Sequence, residues 1–175
     1  MATEVSVTAY LATQIITGGI VIPDGMRLSD ILNGSPLNYP KNGHKFIELS
    51  DVAVRHVDGK VEKAEKSYIN KEAIQLLTTL DRDAARGIGT EGVSKNYPYL
   101  QKKPKWTKMC MPSYEVTGNL YCCAGQAVPY LQDARLLFLP LTDVNLRTIE
   151  ESNHWKVAFA AVNRSQILSL RHDQN

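Results

Sequence analysis

Histidines, cysteines and paired carboxylates build many active sites, and this chain places few of them together. The histidines are scattered along the sequence: His44, His56, His154 and His172. No His-x-x-x-His or Cys-x-x-Cys spacing occurs, and no glycine-rich loop follows a strand and opens a helix. The sequence therefore predicts no metal site, no nucleotide-phosphate cradle and no cofactor.

Two aspartates stand at equivalent places in a repeated phrase, which raises the question of a general base. They are Asp51 in "FIELSDVAVR" and Asp143 in "FLPLTDVNLR". A strand-end aspartate that caps the following turn, or pairs with Arg55 or Arg147, explains the pattern more simply. We therefore expect a non-catalytic protein.

The cysteines are Cys110, Cys122 and Cys123, an odd number that argues against a disulfide framework. Adjacent residues of a strand point to opposite faces, so Cys122 and Cys123 are poorly placed to act together. We expect small buried hydrophobic residues. The alternative, a redox or hydrolytic enzyme, requires a reactive thiol at Cys122 or Cys123.

The net charge and the apolar content argue against several classes of protein. Twenty Lys and Arg against eighteen Asp and Glu leave a net charge of +2, below the excess usual in strong nucleic-acid binders. The 43% apolar content is enough for a core, and no apolar run approaches the length of a membrane span. The start, "MATEVSVTAY", is polar and strand-like, unlike a signal peptide. The sequence predicts a cytoplasmic protein.

Three blocks recur in the same order along the chain, which indicates an internal repeat. Thr17-Gly18 recurs as Thr117-Gly118, at an offset of 100. The aspartate phrase recurs at an offset of 92, and "YINKEAIQLL" recurs as "AVNRSQILSL" at an offset of 93. The strand lengths and turn signals indicate that each repeated unit has about 70 residues. We predict two all-β halves.

Local signals place the elements of each half. Val5–Leu11 and Gln14–Ile22 are rich in β-branched residues, and Gly18-Gly19 indicates a bulge or bend in the second strand. Leu28, Ile31 and Leu32 are spaced for one helical turn that Asn33-Gly34 would end. Asp58-Gly59 is a hairpin turn signal.

Residues 81–108 show no period and contain more basic than acidic residues. A connection of this length is uncommon inside a compact domain. We therefore predict a first domain at 1–80 with a long loop at 23–45, a linker at 81–108, and a second domain at 109–175.

The order of motifs in each half resembles the Sm-like fold, a small, bent, five-stranded barrel of Sm, Lsm and Hfq-type proteins. The first motif corresponds to Leu49–Val52 and Leu141–Val144, and the second to "INKEAI" and "VNRSQI". The bent second strand corresponds to the positions of Gly18 and Gly118. The phrases are also similar to an uncharacterised bacterial family with the block F-[I/L]-x-L-[S/T]-D. The resemblance implies two tandem Sm-like barrels joined by a basic linker that contains aromatic residues.

The RNA-reading positions of that family are changed here. An Asn before the apolar strand is replaced by Phe46 and Phe138, and the Arg of the second motif by Asn70 and Asn163. The two phenylalanines either stack on bases or, as we expect, begin an apolar core face. The asparagines are interpreted as turn formers that tolerate positive φ.

Basic residues offer a separate route to nucleic acid. Lys71 and Arg164 would contact phosphates, or else are solvated turn residues. The linker segment "KNYPYLQKKPKW" combines basic and aromatic side chains: Lys95, Tyr97, Tyr99, Lys102, Lys103, Lys105 and Trp106. That mixture suits single-stranded nucleic acid, and equally an extended arm held by a protein partner.

The sequence thus favours a non-catalytic binding or assembly module, a subunit of a homo-oligomer or of a larger protein complex. Exposed edge strands of small barrels would supply the contacts. RNA binding through Lys71, Arg164 and the linker is the alternative, since fold alone does not decide function.

Overall fold

The computed structural model describes residues 2–24, 26–34, 45–81, 102–123, 136–150 and 153–172. The first half contains a helix, α1 (Leu28–Asn33), and five strands. These strands are β1 (Thr3–Tyr10), β2 (Gln14–Ile22), β3 (Phe46–His56), β4 (Val61–Asn70) and β5 (Leu76–Thr79). The second half contains β6 (Lys102–Cys110), β7 (Tyr114–Cys123), β8 (Phe138–Thr148), β9 (His154–Asn163) and β10 (Ser169–His172). The all-β class predicted from the repeat is confirmed.

The ten strands form one antiparallel sheet in the order β10-β6-β7-β8-β9-β5-β1-β2-β3-β4. Both halves use the same internal order, and β5 pairs with β9 where they meet. We expected two tandem five-stranded barrels, but the described strands form a single open sheet. The physical reason is that β5 pairs with β9 of the other half and not with β4 of its own half.

Two hydrophobic cores lie across the join and mix residues of both halves. The first core contains Phe138, Phe159 and Ala161 from the second half, together with first-half residues such as Leu49. The second core contains Tyr10 and Leu76 from the first half. Neither core is complete within one half of the chain.

The repeated phrase at Asp51 and Asp143 forms a β-bulge. The pairing of β2 with β3 shifts between Thr17 and Gly19, and the pairing of β7 with β8 shifts between Thr117 and Asn119. Asp51 and Asp143 have φ of 48° and 53°, the left-handed region that few side chains other than Asp and Asn tolerate. The expected turn-capping role is therefore wrong, because both aspartates lie inside strands.

The glycine before each bulge allows the neighbouring strand to approach. A Cβ added at Gly18 would lie 2.8 Å from the carbonyl oxygen of Ser50, and one at Gly118 would lie 3.0 Å from that of Thr142. The bulge predicted at Gly18-Gly19 is thus confirmed, and a side chain at Gly18 would require the strands to separate.

Helix α1 begins after Arg27 and ends before Gly34, as the spacing of its apolar residues predicted. Leu28 and Leu32 pack into the first core. The Asn33 side chain accepts a hydrogen bond from the Phe138 amide at 2.7 Å and donates one to the Phe138 carbonyl at 2.9 Å. A first-half side chain thus pairs with the main chain of β8.

Strand β6 begins at Lys102, inside the segment 81–108 that we expected to be a linker. Its residues pair with β7 from Lys102 with Cys123 to Cys110 with Glu115. Basic residues obscure the apolar alternation of this strand. Its buried residues, Thr107 and Met109, lie near its end.

Candidate functional site

The open β4 edge of the sheet carries exposed aromatic side chains. Among the described strands, β4 and β10 each pair on one side only. Phe46 at the start of β3 is 51% exposed, and Tyr68 on β4 is 65% exposed. A groove of about 700 Å³ lies beside them, lined also by Ile31 of α1. Large apolar side chains grouped at a sheet edge are typical of an interaction surface.

An ion pair crosses the same face. Lys66 Nζ lies 2.6 Å from Glu48 Oε1, and both side chains are largely exposed. The hydrogen bond from Lys66 lowers the pKa of Glu48, and the same bond raises the pKa of Lys66. Both groups are therefore charged at neutral pH, so the aromatic patch has a polar rim.

Phe46 and Phe138 occupy equivalent positions but have different surroundings. We expected both to begin an apolar core face. Phe138 is 0% exposed, because α1 and the first core cover it, whereas Phe46 has no such cover among the described residues. The expectation is correct for Phe138 and wrong for Phe46. The two differ because the first half of the chain packs against Phe138, whereas no other half packs against Phe46 among the described residues.

Lys71 is buried at 6% exposure, unlike the solvated turn residue or phosphate ligand expected from the sequence. Its Nζ donates to the carbonyl of Leu32 at 3.1 Å, at the end of α1. Burial lowers the pKa of Lys71. The side chain stabilises the free carbonyls of a helix end and does not project from the surface.

Asn70 and Asn163 cap short 3-10 turns, Lys71–Ala73 and Arg164–Gln166. The Asn70 side chain accepts from the Glu72 amide at 3.0 Å, and Asn163 accepts from the Ser165 amide at 3.0 Å. The expectation that both residues form turns is confirmed, but their φ angles of −66° and −69° show that the positive φ given as the reason is wrong. Capping is the reason for asparagine here.

Asn163 also holds the two halves together. Its Nδ2 donates to the carbonyl of Lys71 at 3.1 Å and to that of Ile74 at 2.8 Å, both in the first half. Its main-chain amide donates to the Gln75 carbonyl at 2.9 Å. The residue is fully buried. In the part of the chain that the structure describes, the Nδ2 of Asn70 makes no such contacts.

The remaining nucleic-acid candidates that the structure describes differ in exposure. Lys102 and Lys103 are exposed on β6, whereas Lys105 and Trp106 are half-buried on the same strand. Arg164 is half-buried in the second 3-10 turn. The other predicted residues, Lys95, Tyr97 and Tyr99, lie outside the described residues.

Groups with chemical reactivity are dispersed within the described ranges. No three His, Cys, Asp or Glu side chains there are arranged to hold a metal ion. Cys122 is buried and Cys110 half-buried. The Asp143 carboxylate accepts from Asn119 Nδ2 at 3.2 Å, whereas Arg147 lies 3.2 Å from the Glu115 carboxylate.

Sequence reasoning missed Tyr68 and the inter-half role of Asn163. The signal for Tyr68 was present: the repeat offset of 93 matches it with Ala161, which is buried. When one copy of a repeat has an aromatic residue where the other copy has an alanine, the two positions have different surroundings. The role of Asn163 had no local signal, because its acceptors lie about ninety residues away in the sequence.

No protein-family model, curated protein or solved structure matches this chain. None of the helices in the described ranges is long and apolar enough to cross a membrane.

Proposed function

We propose that the chain is a non-catalytic assembly module, a subunit of a homo-oligomer or of a larger protein complex, which binds through the open edges of its sheet. The observation that carries the proposal is the exposed pair Phe46 and Tyr68 at the unpaired β4 edge. An unpaired edge offers main-chain hydrogen bonds to an incoming strand, and neighbouring side chains provide the specificity.

We also propose an Sm-like strand arrangement for each half. It is supported by the same strand order in both halves, by the bulged second strand at Gly18 and Gly118, and by the 3-10 turn before the last strand. The Asn-to-Phe change at Phe46, which is exposed, fits an interaction with protein better than base reading.

The test is a light-scattering measurement of molar mass at about 1–100 µM protein. It is made on the protein alone and on the protein in a lysate fraction. We expect species heavier than the 19.5 kDa chain. Tyr68→Glu should shift them toward the single-chain mass, because it places a charge in the edge contact. Val57→Glu, at another exposed apolar residue, is the control. A wild-type chain that stays at the single-chain mass in both settings contradicts the proposal.

RNA binding remains the second candidate, favoured by the exposed Lys102 and Lys103 on β6. Lys71 does not support it, because its ammonium points at helix carbonyls. Binding to single-stranded RNA at about 50 and 200 mM salt distinguishes the two candidates, since phosphate contacts weaken as salt rises. Failure to bind at the lower salt excludes this candidate.

A further inference from the structure

The groove beside Phe46 is a cleft between two strands that separate. The ladder between β2 and β3 ends at the pair of Gly19 with Ser50. Both strands continue beyond that pair, as residues 20–22 of β2 and residues 46–49 of β3. Residues of both continuations line the groove. The cleft is therefore closed at Gly19 and Ser50 and open at its other end.

Main-chain groups on both walls are directed into the cleft. The Lys71 amide donates to the Lys45 carbonyl at 2.8 Å, which makes these two residues a hydrogen-bonded pair between β3 and β4. Such pairs alternate along an antiparallel ladder, so the N–H and C=O groups of Phe46 and Glu48 point away from β4 and toward β2. The same alternation along β1 and β2 directs those of Val21 toward β3. An extended chain in the cleft would meet hydrogen-bonding groups on both sides.

The equivalent place in the second half is closed by residues of the chain itself. Phe138 is the counterpart of Phe46, and its main-chain amide and carbonyl are bonded to the Asn33 side chain. Pro140 is the counterpart of Glu48 and has no N–H to donate. The Asn33 contact shows that main-chain groups at this position bind an amide. The first-half cleft keeps donors and acceptors at both positions.

Acceptors of hydrogen bonds gather at the closed end of the cleft. The Glu4 carboxylate lies there and accepts from the Ser50 hydroxyl, whose oxygen is 3.2 Å from the Gly19 carbonyl oxygen. Glu48 is paired with Lys66, whereas Glu4 is held by a neutral hydroxyl. A carboxylate and a carbonyl together suit a cation that has several N–H donors.

The shape and charge of the cleft restrict what can enter it. An extended chain cannot pass the closed end, because β2 and β3 are paired there, so a chain end must lie at that point. The Glu4 carboxylate attracts the ammonium of an N-terminus and repels the carboxylate of a C-terminus. The exposed Lys45 lies at the open end and favours an acidic residue there.

We propose that the cleft binds the free N-terminus of a protein partner, with the ammonium at Glu4 and the following residues extended between β2 and β3. The inference rests on the proposed assembly function and deepens it, because it names the chemistry of the partner. The cleft also adjoins the join between the halves through α1, since Ile31 lines the cleft while Asn33 contacts β8.

The orientation defines the side chains that the partner should carry. The incoming chain runs antiparallel to β3, and about three residues fit beside residues 20–22 at a rise of about 3.3 Å per residue. Its first and third residues lie on the side of the exposed Val21, Phe46 and Tyr68, which favours apolar side chains. Its fourth residue lies opposite Lys45, which favours an acid.

The experiment measures the binding of a synthetic peptide to the full-length protein by fluorescence anisotropy. The peptide is Val-Ala-Val-Glu with a free N-terminus, followed by a lysine amide that carries fluorescein. We expect one-to-one binding with a Kd on the order of 100 µM, since the peptide is short and loses freedom on binding. The same peptide with an acetylated N-terminus should bind at least about tenfold more weakly, because it lacks the charged donor.

A matched pair of variants locates the ammonium. Glu4→Gln removes the carboxylate and keeps the size of the side chain, so it should bind the free and the acetylated peptide about equally. Glu65→Gln, at an exposed glutamate of β4 outside the groove, is the control and should keep the preference of about tenfold for the free peptide. Melting temperatures equal to that of the wild type establish that both variants fold.

Several outcomes would overturn the inference. One is the absence of saturable binding to the wild type up to about 1 mM peptide, and another is equal binding of the free and the acetylated peptide. A preference that survives Glu4→Gln would also remove the ammonium site. The light-scattering test of assembly does not use this peptide, so the two proposals can fail separately. An oligomer that forms while the peptide does not bind leaves the assembly function in place and removes the cleft.

Discussion

Asp51 and Asp143 show how a residue suited to chemistry can be used for backbone geometry. Their repetition was visible in the sequence, and so was a bend near Gly18. The reason for the aspartate was not visible, because a positive φ inside a strand leaves no periodic signal. Asp and Asn enter the left-handed region at lower cost than most residues, which explains why a polar residue interrupts an apolar strand.

Substitution at Asp143 should separate backbone geometry from carboxylate chemistry. Asp143→Val is expected to lower the free energy of unfolding by about 1–2 kcal/mol, since a β-branched residue is strained at positive φ. Asp143→Gly, which removes the carboxylate but relaxes the backbone, should be neutral or slightly stabilising. Urea denaturation of both variants measures this, and equal losses in the two would show that the carboxylate matters.

Phe46 and Phe138 mark the limit of prediction for single residues. An apolar residue that begins an apolar strand is most simply a core residue, and this holds for Phe138. Phe46 has the same local sequence context but lacks a neighbouring half, so its exposure depends on a contact that its own segment does not encode. Local patterns predict the orientation of a side chain but not what covers it.

At the scale of elements, the strands, the helical turn of α1 and the hairpin at Gly59 followed from alternation, spacing and turn residues. The start of β6 did not, because lysines at its exposed positions resemble a charged linker. The pairing of β5 with β9 also could not be predicted, since the local pattern of an edge strand does not specify which distant strand it joins.

The contact between the 3-10 turn and β9 gives a prediction for Asn163. Asn163→Asp should lower the free energy of unfolding by about 3 kcal/mol or more, because it leaves two buried carbonyls without a donor and places a charge among them. Asn70→Asp is the matched control, measured at a dilution at which chains are single, and should leave that free energy nearly unchanged. Comparable losses in both variants would contradict the assignment of Asn163 as the inter-half clamp.

At the scale of the whole molecule, the shared cores make the two halves one cooperative unit. Phe138, Phe159 and Ala161 complete the first core, and Tyr10 and Leu76 complete the second. Unfolding one half would expose apolar surface of the other. We therefore expect a single transition in place of the two that independent domains would give.

The two tryptophans, Trp106 and Trp155, both belong to the second half, which provides a direct test. Leu49→Ala, in the first core, should lower the free energy of unfolding by about 3 kcal/mol. The midpoint from tryptophan fluorescence should fall together with that from far-UV circular dichroism. A fluorescence midpoint that keeps its wild-type value would show that the halves unfold separately. Val57→Ala, at an exposed residue, is the control.

The pairing of β5 with β9 inside a single chain also has a consequence for the number of repeats in an assembly. Each chain contributes two repeats at once, already connected through one copy of the contact. Any assembly of whole chains that reuses this contact contains an even number of repeats, and closed forms with an odd number are inaccessible. Contacts inside chains would then alternate with contacts between chains. The contacts inside chains would form at any protein concentration, whereas those between chains would form only as the protein concentration rises.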